Sequence, residues 1–152
     1  MNIFATSSDP TKCAIVIDNK RLPKMLLEAC QLMSTNGYGP YKPTHVNHPC
    51  SLWVGESSAN AQWLAHHCRA LHKEILYRFG TIHSSYIKCS KNWDGFLSQP
   101  ICFSLMTPFK NCTNFKFVED THLAYQKHLN QKWNETKPVW YGRDYPSFYH
   151  KT

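Results

Sequence analysis

The chain has 152 residues, a length that allows one domain to bury its own hydrophobic core without disulfide or metal staples. A formal charge of +7 and an aromatic content of 14% favour nucleic acid over a membrane surface as partner, because basic side chains follow phosphates while aromatic rings stack on bases. The seven cysteines are scattered without a CxxC pair, which excludes a disulfide scaffold. No run approaches about 18 apolar residues, which excludes a membrane span. We therefore expect a soluble cytoplasmic protein with reduced thiols.

Two helices are predicted in the first quarter of the chain. Ser8 or Asp9 can cap the first, Pro10 suits its first turn, and we expect it to end near Asp18. Between residues 20 and 35 apolar side chains recur at steps of three and four, which predicts a second helix with one buried stripe and a basic opposite face. The segment NGYGPYKP that follows is too rich in Gly and Pro to continue it.

The clearest helical pattern runs from Ser57 to Phe79, and Gly80 is a typical C-cap. Between residues 81 and 118 the pattern is weak, so short helical turns and loops are expected. Asp120 can cap a last helix that continues through Trp133 and precedes an aromatic, Pro-broken tail. Strand signals are few. The sequence therefore predicts an all-α protein in which residues 1–152 form a single compact helical domain with long loops and an aromatic C-terminal tail.

Histidine and cysteine are concentrated in the segment YKPTHVNHPCSLW, where His45, His48 and Cys50 offer donor atoms for a metal. Zinc ligands usually come as two close pairs, and the next candidates, His66 and His67, point about 100° apart on a helix. The expectation is therefore no metal and no cofactor. The only indication of a reactive thiol at Cys50 is its position near the start of a helix. The sequence contains no phosphate-loop, dinucleotide-binding or GxSxG motif.

A basic cluster offers a better candidate for a binding surface. Lys20, Arg21 and Lys24 fall in the first turns of the second helix, where positive charge opposes the helix dipole. Contact with a phosphate backbone would explain why they stand there, and Arg78 on the long helix would extend the surface. The alternative is a solvated face of a basic protein.

Four segments carry a resemblance to a known family. In order, KRLPKMLLEACQLM, YKPTHVNHPCSLW, WLAHHCRALHKEILYRFG and KPVWYGRDY resemble phage-type members of the pyrimidine-dimer DNA glycosylase family, also called endonuclease V. The resemblance implies a compact all-α domain that kinks duplex DNA and flips out a damaged base. It also implies catalysis by the N-terminal amine, which attacks the sugar C1′ and forms a Schiff base, and by a glutamate that stabilises the sugar-derived cation.

The catalytic positions depart from the family pattern in two ways. Aligning the Leu-Pro dipeptide puts Arg21 where the family has its glutamate, and an arginine is neither a base nor a partner for a cation. Asn2 is too large to favour removal of the initiator, so the amine is expected on Met1 rather than on Asn2. Glu28 and Glu56 are the carboxylates that could replace the missing glutamate.

The binding residues carry over more fully. Lys20 and Lys24 match positions where the family has basic residues that contact the DNA backbone. Trp140 and Tyr141 match the family's aromatic tail near the lesion. The loop histidines and asparagine could face a flipped nucleotide, or could instead hydrogen-bond inside the fold. The predicted DNA-contacting residues are Lys20, Arg21, Lys24, His45, Asn47, His48, Arg78, Trp140 and Tyr141.

Three functions remain open from the sequence. The first is a DNA-repair glycosylase with or without strand cleavage. The second is a diverged phage enzyme that modifies, or transfers a group to, a hypermodified pyrimidine, with Arg21, His45 and His48 binding an anionic group. The third is a non-catalytic DNA-binding protein. In each the expected partner is double-stranded DNA, and the protein is expected to be a monomer in a phage-infected bacterial cell.

Overall fold

The computed structural model describes all residues from Met1 to Thr152, and its regular structure is entirely helical. The predicted all-α class is confirmed. The helices are α1 (Pro10–Ile15), α2 (Leu22–Thr35), α3 (Pro49–Glu56), α4 (Ser58–Phe79), α5 (Ser84–Ser90), α6 (Asp94–Leu97) and α7 (Thr121–Asn134), with a 3-10 turn at Phe103–Leu105.

Helix α4 is the central element, because α1, α2 and α3 all pack against it. Its ends follow the local signals in the sequence. The hydroxyl of Ser57 accepts from the N–H of Ala59 at the N-terminus, and Gly80 ends the helix in the left-handed conformation with φ +67°. The same elements contribute to one hydrophobic cluster of 29 buried residues. None of the helices combines the length and the apolarity that a bilayer-crossing segment needs.

The turn between α1 and α2 differs from the prediction. Helix α1 ends at Ile15 rather than near Asp18, and the guanidinium of Arg78 donates to the carbonyls of Ile15 (2.8 Å) and Ile17 (2.6 Å) in the turn that follows. Helix α2 begins only at Leu22. The basic residues Lys20 and Arg21 therefore lie in the turn that leads into α2.

A buried charge network holds this turn to α4. The carboxylate of Glu74 accepts from Arg78 Nε at 2.8 Å and from Arg143 Nε and Nη2 at 2.9 and 3.0 Å. The Arg78 side chain has 0% exposure. Arg78 thus lies in the interior, whereas the sequence analysis placed it on the basic surface. Its donors are used by Glu74 and by backbone carbonyls, and we assign it to the fold.

The C-terminal tail returns to the same turn. The N–H of Asn19 donates to the carbonyl of Val139 (2.8 Å), and the indole N–H of Trp140 donates to the carbonyl of Val16 (2.8 Å). Trp140 also packs edge-to-face against Trp133 of α7, with ring centroids 5.0 Å apart. The predicted aromatic tail is therefore confirmed, and it is part of the packed structure.

One histidine is deeply buried in α4. His67 is 1% exposed, stacks on Trp63, and donates from Nδ1 to the carbonyl of Pro10 (3.0 Å). Burial lowers the pKa of His67 from 6.5 to about 4, although the bond to Pro10 acts in the opposite direction. The imidazole is neutral in the folded protein at neutral pH.

This histidine should make the folded state sensitive to acid. The unfolded chain binds its proton below pH 6.5 and the folded chain only below about 4, so stability is complete above 6.5 and falls as the pH drops through that window. The full loss from this group is about 3 kcal/mol. Urea unfolding at a series of pH values measures it, and His67→Gln should flatten the slope. An equally steep slope in that variant would contradict the assignment.

Candidate active site

The N-terminal segment enters the protein and is fixed there by Asn2. The side-chain carbonyl of Asn2 accepts from the N–H groups of Ile3 (2.8 Å) and Phe4 (3.0 Å), while its amide donates to the carbonyl of Cys112 (3.2 Å). Phe4 has φ +55°, and its buried ring stacks on His128. This backbone conformation is unusual for a bulky residue, and the packing around it holds it in place. The position of the Met1 amine is therefore set by buried neighbours.

The Met1 amine meets a carboxylate from α2. Its nitrogen lies 3.5 Å from Glu28 Oε1, and the Met1 side chain is only 3% exposed. The other oxygen, Glu28 Oε2, is buried without a hydrogen-bond partner. Most buried polar atoms are paired, so Glu28 Oε2 keeps an acceptor position beside the amine that no group of the protein occupies. Two of the predicted catalytic residues, Met1 and Glu28, are thus brought together.

The loop of the YKPTHVNHPCSLW segment leads into α3. His48 is the N-cap, where its Nδ1 accepts from the N–H of Cys50 (3.1 Å), and Pro49 is the first helical residue. Trp53 is buried and donates its indole N–H to the carbonyl of Thr107. His45 is exposed with φ +52°. The loop is therefore anchored at Trp53 and presents His45 to solvent.

His48 and Cys50 form a cluster with a residue far away in the sequence, Cys112. One imidazole nitrogen and the two sulfurs all lie within 4.8 Å of one another, and the sulfurs are 3.7 Å apart. Cys112 is not recognisable as part of this cluster from the sequence, because it belongs to the third of the chain with the weakest pattern and no spacing rule connects it to residues 48 and 50. Only the tertiary fold reveals it.

The charges around this cluster favour a neutral imidazole and one thiolate. Burial, followed by the Met1 ammonium, lowers the pKa of His48. The hydrogen bond between the two thiols raises the pKa of Cys50, and burial raises it further. The same hydrogen bond lowers the pKa of Cys112, and the Met1 ammonium also contributes to this decrease. Of the two thiols Cys112 therefore has the lower pKa, and it lies close enough to Met1 to be affected by the charge of the ammonium.

The other catalytic candidates lie in different surroundings. Arg21 pairs with the buried Asp18 at 3.1 Å, about 10 Å along α2 from Glu28. Glu56 is exposed at the end of α3, where one oxygen accepts from Thr107 and the other pairs with Lys110. Of the two replacement carboxylates, only Glu28 contacts the amine.

The predicted DNA-contacting residues divide into exposed and buried groups. Lys20 and Lys24 are exposed around the start of α2, and Arg21 is half-buried beside them. His45, Asn47 and Tyr141 are also exposed, and His48 is half-buried. Trp140 joins Arg78 in the interior, since its indole is bonded to the backbone and packed among aromatic rings.

These features define an all-α protein that buries its N-terminal segment and sets the terminal amine against a helix carboxylate. The model of the family described as pyrimidine dimer DNA glycosylase matches residues 1–87, more than half of the chain, and the protein belongs to this family. Comparisons with curated proteins and with solved structures found no match. The matched range includes Met1, Glu28, His48 and Cys50, while Cys112 lies beyond it.

Proposed function

We propose that the protein is a DNA N-glycosylase with AP-lyase activity that acts on a flipped damaged or modified pyrimidine in duplex DNA. The observation that carries the proposal is the 3.5 Å pair between the Met1 amine and Glu28, whose second oxygen is buried and unpaired. An amine can attack only in its neutral form, and a neighbouring carboxylate can take its proton. Membership of the glycosylase family supports the same reaction.

Each group in the pair has a defined task. The Met1 nitrogen forms a bond to C1′ of the sugar while the bond from C1′ to the base breaks, and the base leaves with that electron pair. The negative charge of Glu28 stabilises the cationic sugar in the transition state, and its carboxylate then takes the proton that the Met1 nitrogen loses once the bond to C1′ has formed. Opening of the sugar ring then gives a Schiff base, and loss of a C2′ proton expels the 3′ phosphate and cleaves the strand.

The shift of the carboxylate from position 21 to position 28 is compatible with helix geometry. Seven residues make almost two full turns, so both positions lie on nearly the same face of α2, about 10 Å apart. The N-terminal segment carries the amine to Glu28, while Arg21 pairs with Asp18. The family's pair of amine and carboxylate is thus proposed to persist at a different place on the same helix.

Exposed lysines around the start of the same helix support binding to duplex DNA. Lys20 and Lys24 flank the start of α2, and the chain carries a charge of +7.

We further propose that the protein acts as a monomer and that residues 1–152 form one domain. We also propose that it belongs to the phage-type subgroup and acts in the infected bacterial cell. The YKPTHVNHPC segment supports the subgroup, and the contacts from the tail to residues 16–19 support the single domain.

Lys20→Ala with Lys24→Ala should weaken duplex binding in a salt-dependent manner. Each phosphate contact that is lost reduces the slope of log K against log salt by about 1, so the double variant should lose about 2. Fluorescence anisotropy over a salt series measures this slope. Lys88→Ala with Lys91→Ala removes the same charge from exposed residues of α5 and its C-cap and should keep the slope. Equal slopes in the two double variants would contradict the assigned surface.

Borohydride trapping tests the reaction itself. The protein is incubated with ultraviolet-irradiated duplex, abasic duplex and undamaged duplex in the presence of borohydride, which reduces a Schiff base to a stable amine. We expect a covalent complex with the first two substrates, and peptide mapping should place the adduct on the Met1 nitrogen. Absence of any complex, or an adduct on Lys20 or Lys24 instead, would overturn the proposal.

A further inference from the structure

The cluster of His48, Cys50 and Cys112 has the donor set of a zinc site. We propose that these three side chains bind a divalent cation of the Zn²⁺ type, with solvent or a small ligand in the fourth position. One nitrogen and two sulfurs are the ligands that zinc prefers, and three protein ligands with one open position is a recognised zinc arrangement. The proposal does not depend on the glycosylase reaction.

The separation of the two sulfurs fits this coordination. With zinc–sulfur bonds of about 2.3 Å and a tetrahedral angle between them, two thiolates stand about 3.8 Å apart. Cys50 Sγ and Cys112 Sγ are 3.7 Å apart, far longer than the roughly 2.05 Å of a disulfide. A cation can therefore bind without moving either sulfur appreciably.

Neighbouring side chains hold Cys112, the ligand most distant in the sequence, in place. Cys112 receives a hydrogen bond on its carbonyl from the Asn2 amide, and its own N–H donates to the hydroxyl of the buried Tyr125. Such neighbours orient metal ligands and limit their freedom before the metal arrives. Cys50 is fixed in the first turn of α3. The cation would join the start of α3 to the loop that carries Cys112, and since Asn2 donates to the carbonyl of Cys112, it would also brace the N-terminal segment.

His48 must change its hydrogen bonding when the cation binds. Its Nδ1 now accepts from the N–H of Cys50. Coordination through Nδ1 uses that lone pair, and coordination through Nε2 puts the proton on Nδ1, which then cannot accept. In either case a metal–nitrogen bond replaces the cap of α3. The imidazole of His48 should therefore show different nitrogen shifts in the metal-bound protein.

Cobalt binding provides the test. The reduced, chelator-treated full chain is titrated with Co²⁺ alone, and we expect one equivalent to produce the thiolate charge-transfer band and the intense visible bands of tetrahedral Co²⁺, which Zn²⁺ then removes. Cys112→Ser and Cys50→Ser should each lose most of the charge-transfer intensity. Cys102→Ser, which changes an exposed cysteine outside the cluster, should keep it.

Several results would overturn the proposal. They are the absence of a thiolate band in the reduced wild-type protein, an unchanged band in Cys112→Ser, and a band lost only in Cys89→Ser, which would place the metal among the other buried thiols. Circular dichroism establishes that each variant is folded, and the wild-type titration decides the question even where a variant is not. Failure of Co²⁺ binding leaves the borohydride result unaffected, so the two proposals can fail separately.

Discussion

Glu28→Gln is expected to lower the rate of the trapped covalent complex by at least about 100-fold, because the amide neither accepts the proton of the amine nor carries the negative charge that the sugar cation needs. The side chain keeps its size, so the fold and the position of the Met1 nitrogen should be retained. Single-turnover trapping on abasic duplex measures the rate. Duplex affinity, measured by anisotropy, should stay within about twofold of the wild-type value.

Glu56→Gln is the matched control for this experiment. It removes a carboxylate of the same type from the end of α3, where Thr107 and Lys110 already occupy both oxygens. Its trapping rate should equal that of the wild-type protein. A large loss in Glu56→Gln with an active Glu28→Gln would reverse the assignment of the catalytic carboxylate, and two active variants would remove carboxylate catalysis altogether.

Glu74→Gln should be the most destabilising conservative change in the protein. Burial raises the pKa of Glu74, but the hydrogen bonds from Arg143 and Arg78 outweigh burial and hold the pKa below its ordinary value, so the carboxylate is charged. Removing that charge leaves the fully buried guanidinium of Arg78 without a counterion. Losing one partner of a buried pair costs about 3–5 kcal/mol in the free energy of unfolding, which urea denaturation followed by circular dichroism measures.

Arg143→Gln provides the comparison, because Arg143 donates to the same Glu74 carboxylate from a more exposed position. The Arg143 side chain is 33% exposed and lies over the ring of Tyr77. Its loss leaves the pair of Glu74 and Arg78 intact, so the cost should be only about 1 kcal/mol. A Glu74→Gln variant that is no less stable than Arg143→Gln would show that the buried pair does not support the fold.

Local signals in the sequence predict the long helices well. The ends of α4 lie within a residue of the prediction, because Ser57 and Gly80 act on their own backbone neighbours. The last helix likewise begins next to its cap, Asp120, whose side chain accepts from the N–H of Leu123. Caps and apolar periodicity are properties of adjacent residues, so they are visible before any tertiary contact is known.

The candidate site depends on contacts that local signals do not contain. Glu28 could be named as a replacement carboxylate, but its approach to the Met1 amine follows from the turn at Asn2 and the strained backbone of Phe4. The sequence predicts Arg78 as an extension of the basic surface, and its pairing with Glu74, which also accepts from Arg143, becomes visible only in the fold. Long-range pairing of polar groups is what the sequence does not reveal.

The return of the tail to the turn before α2 ties the C-terminal part of the chain to residues 16–19. Val139 and Trp140 bond the backbone at Asn19 and Val16, directly before Lys20, and Arg143 supports the same region through Glu74 and Arg78. The tail therefore restricts the motion of the turn that carries Lys20. We expect the rigidity of Lys20 in its proposed contact with a phosphate to depend on residues some 120 positions later in the sequence, outside the matched range.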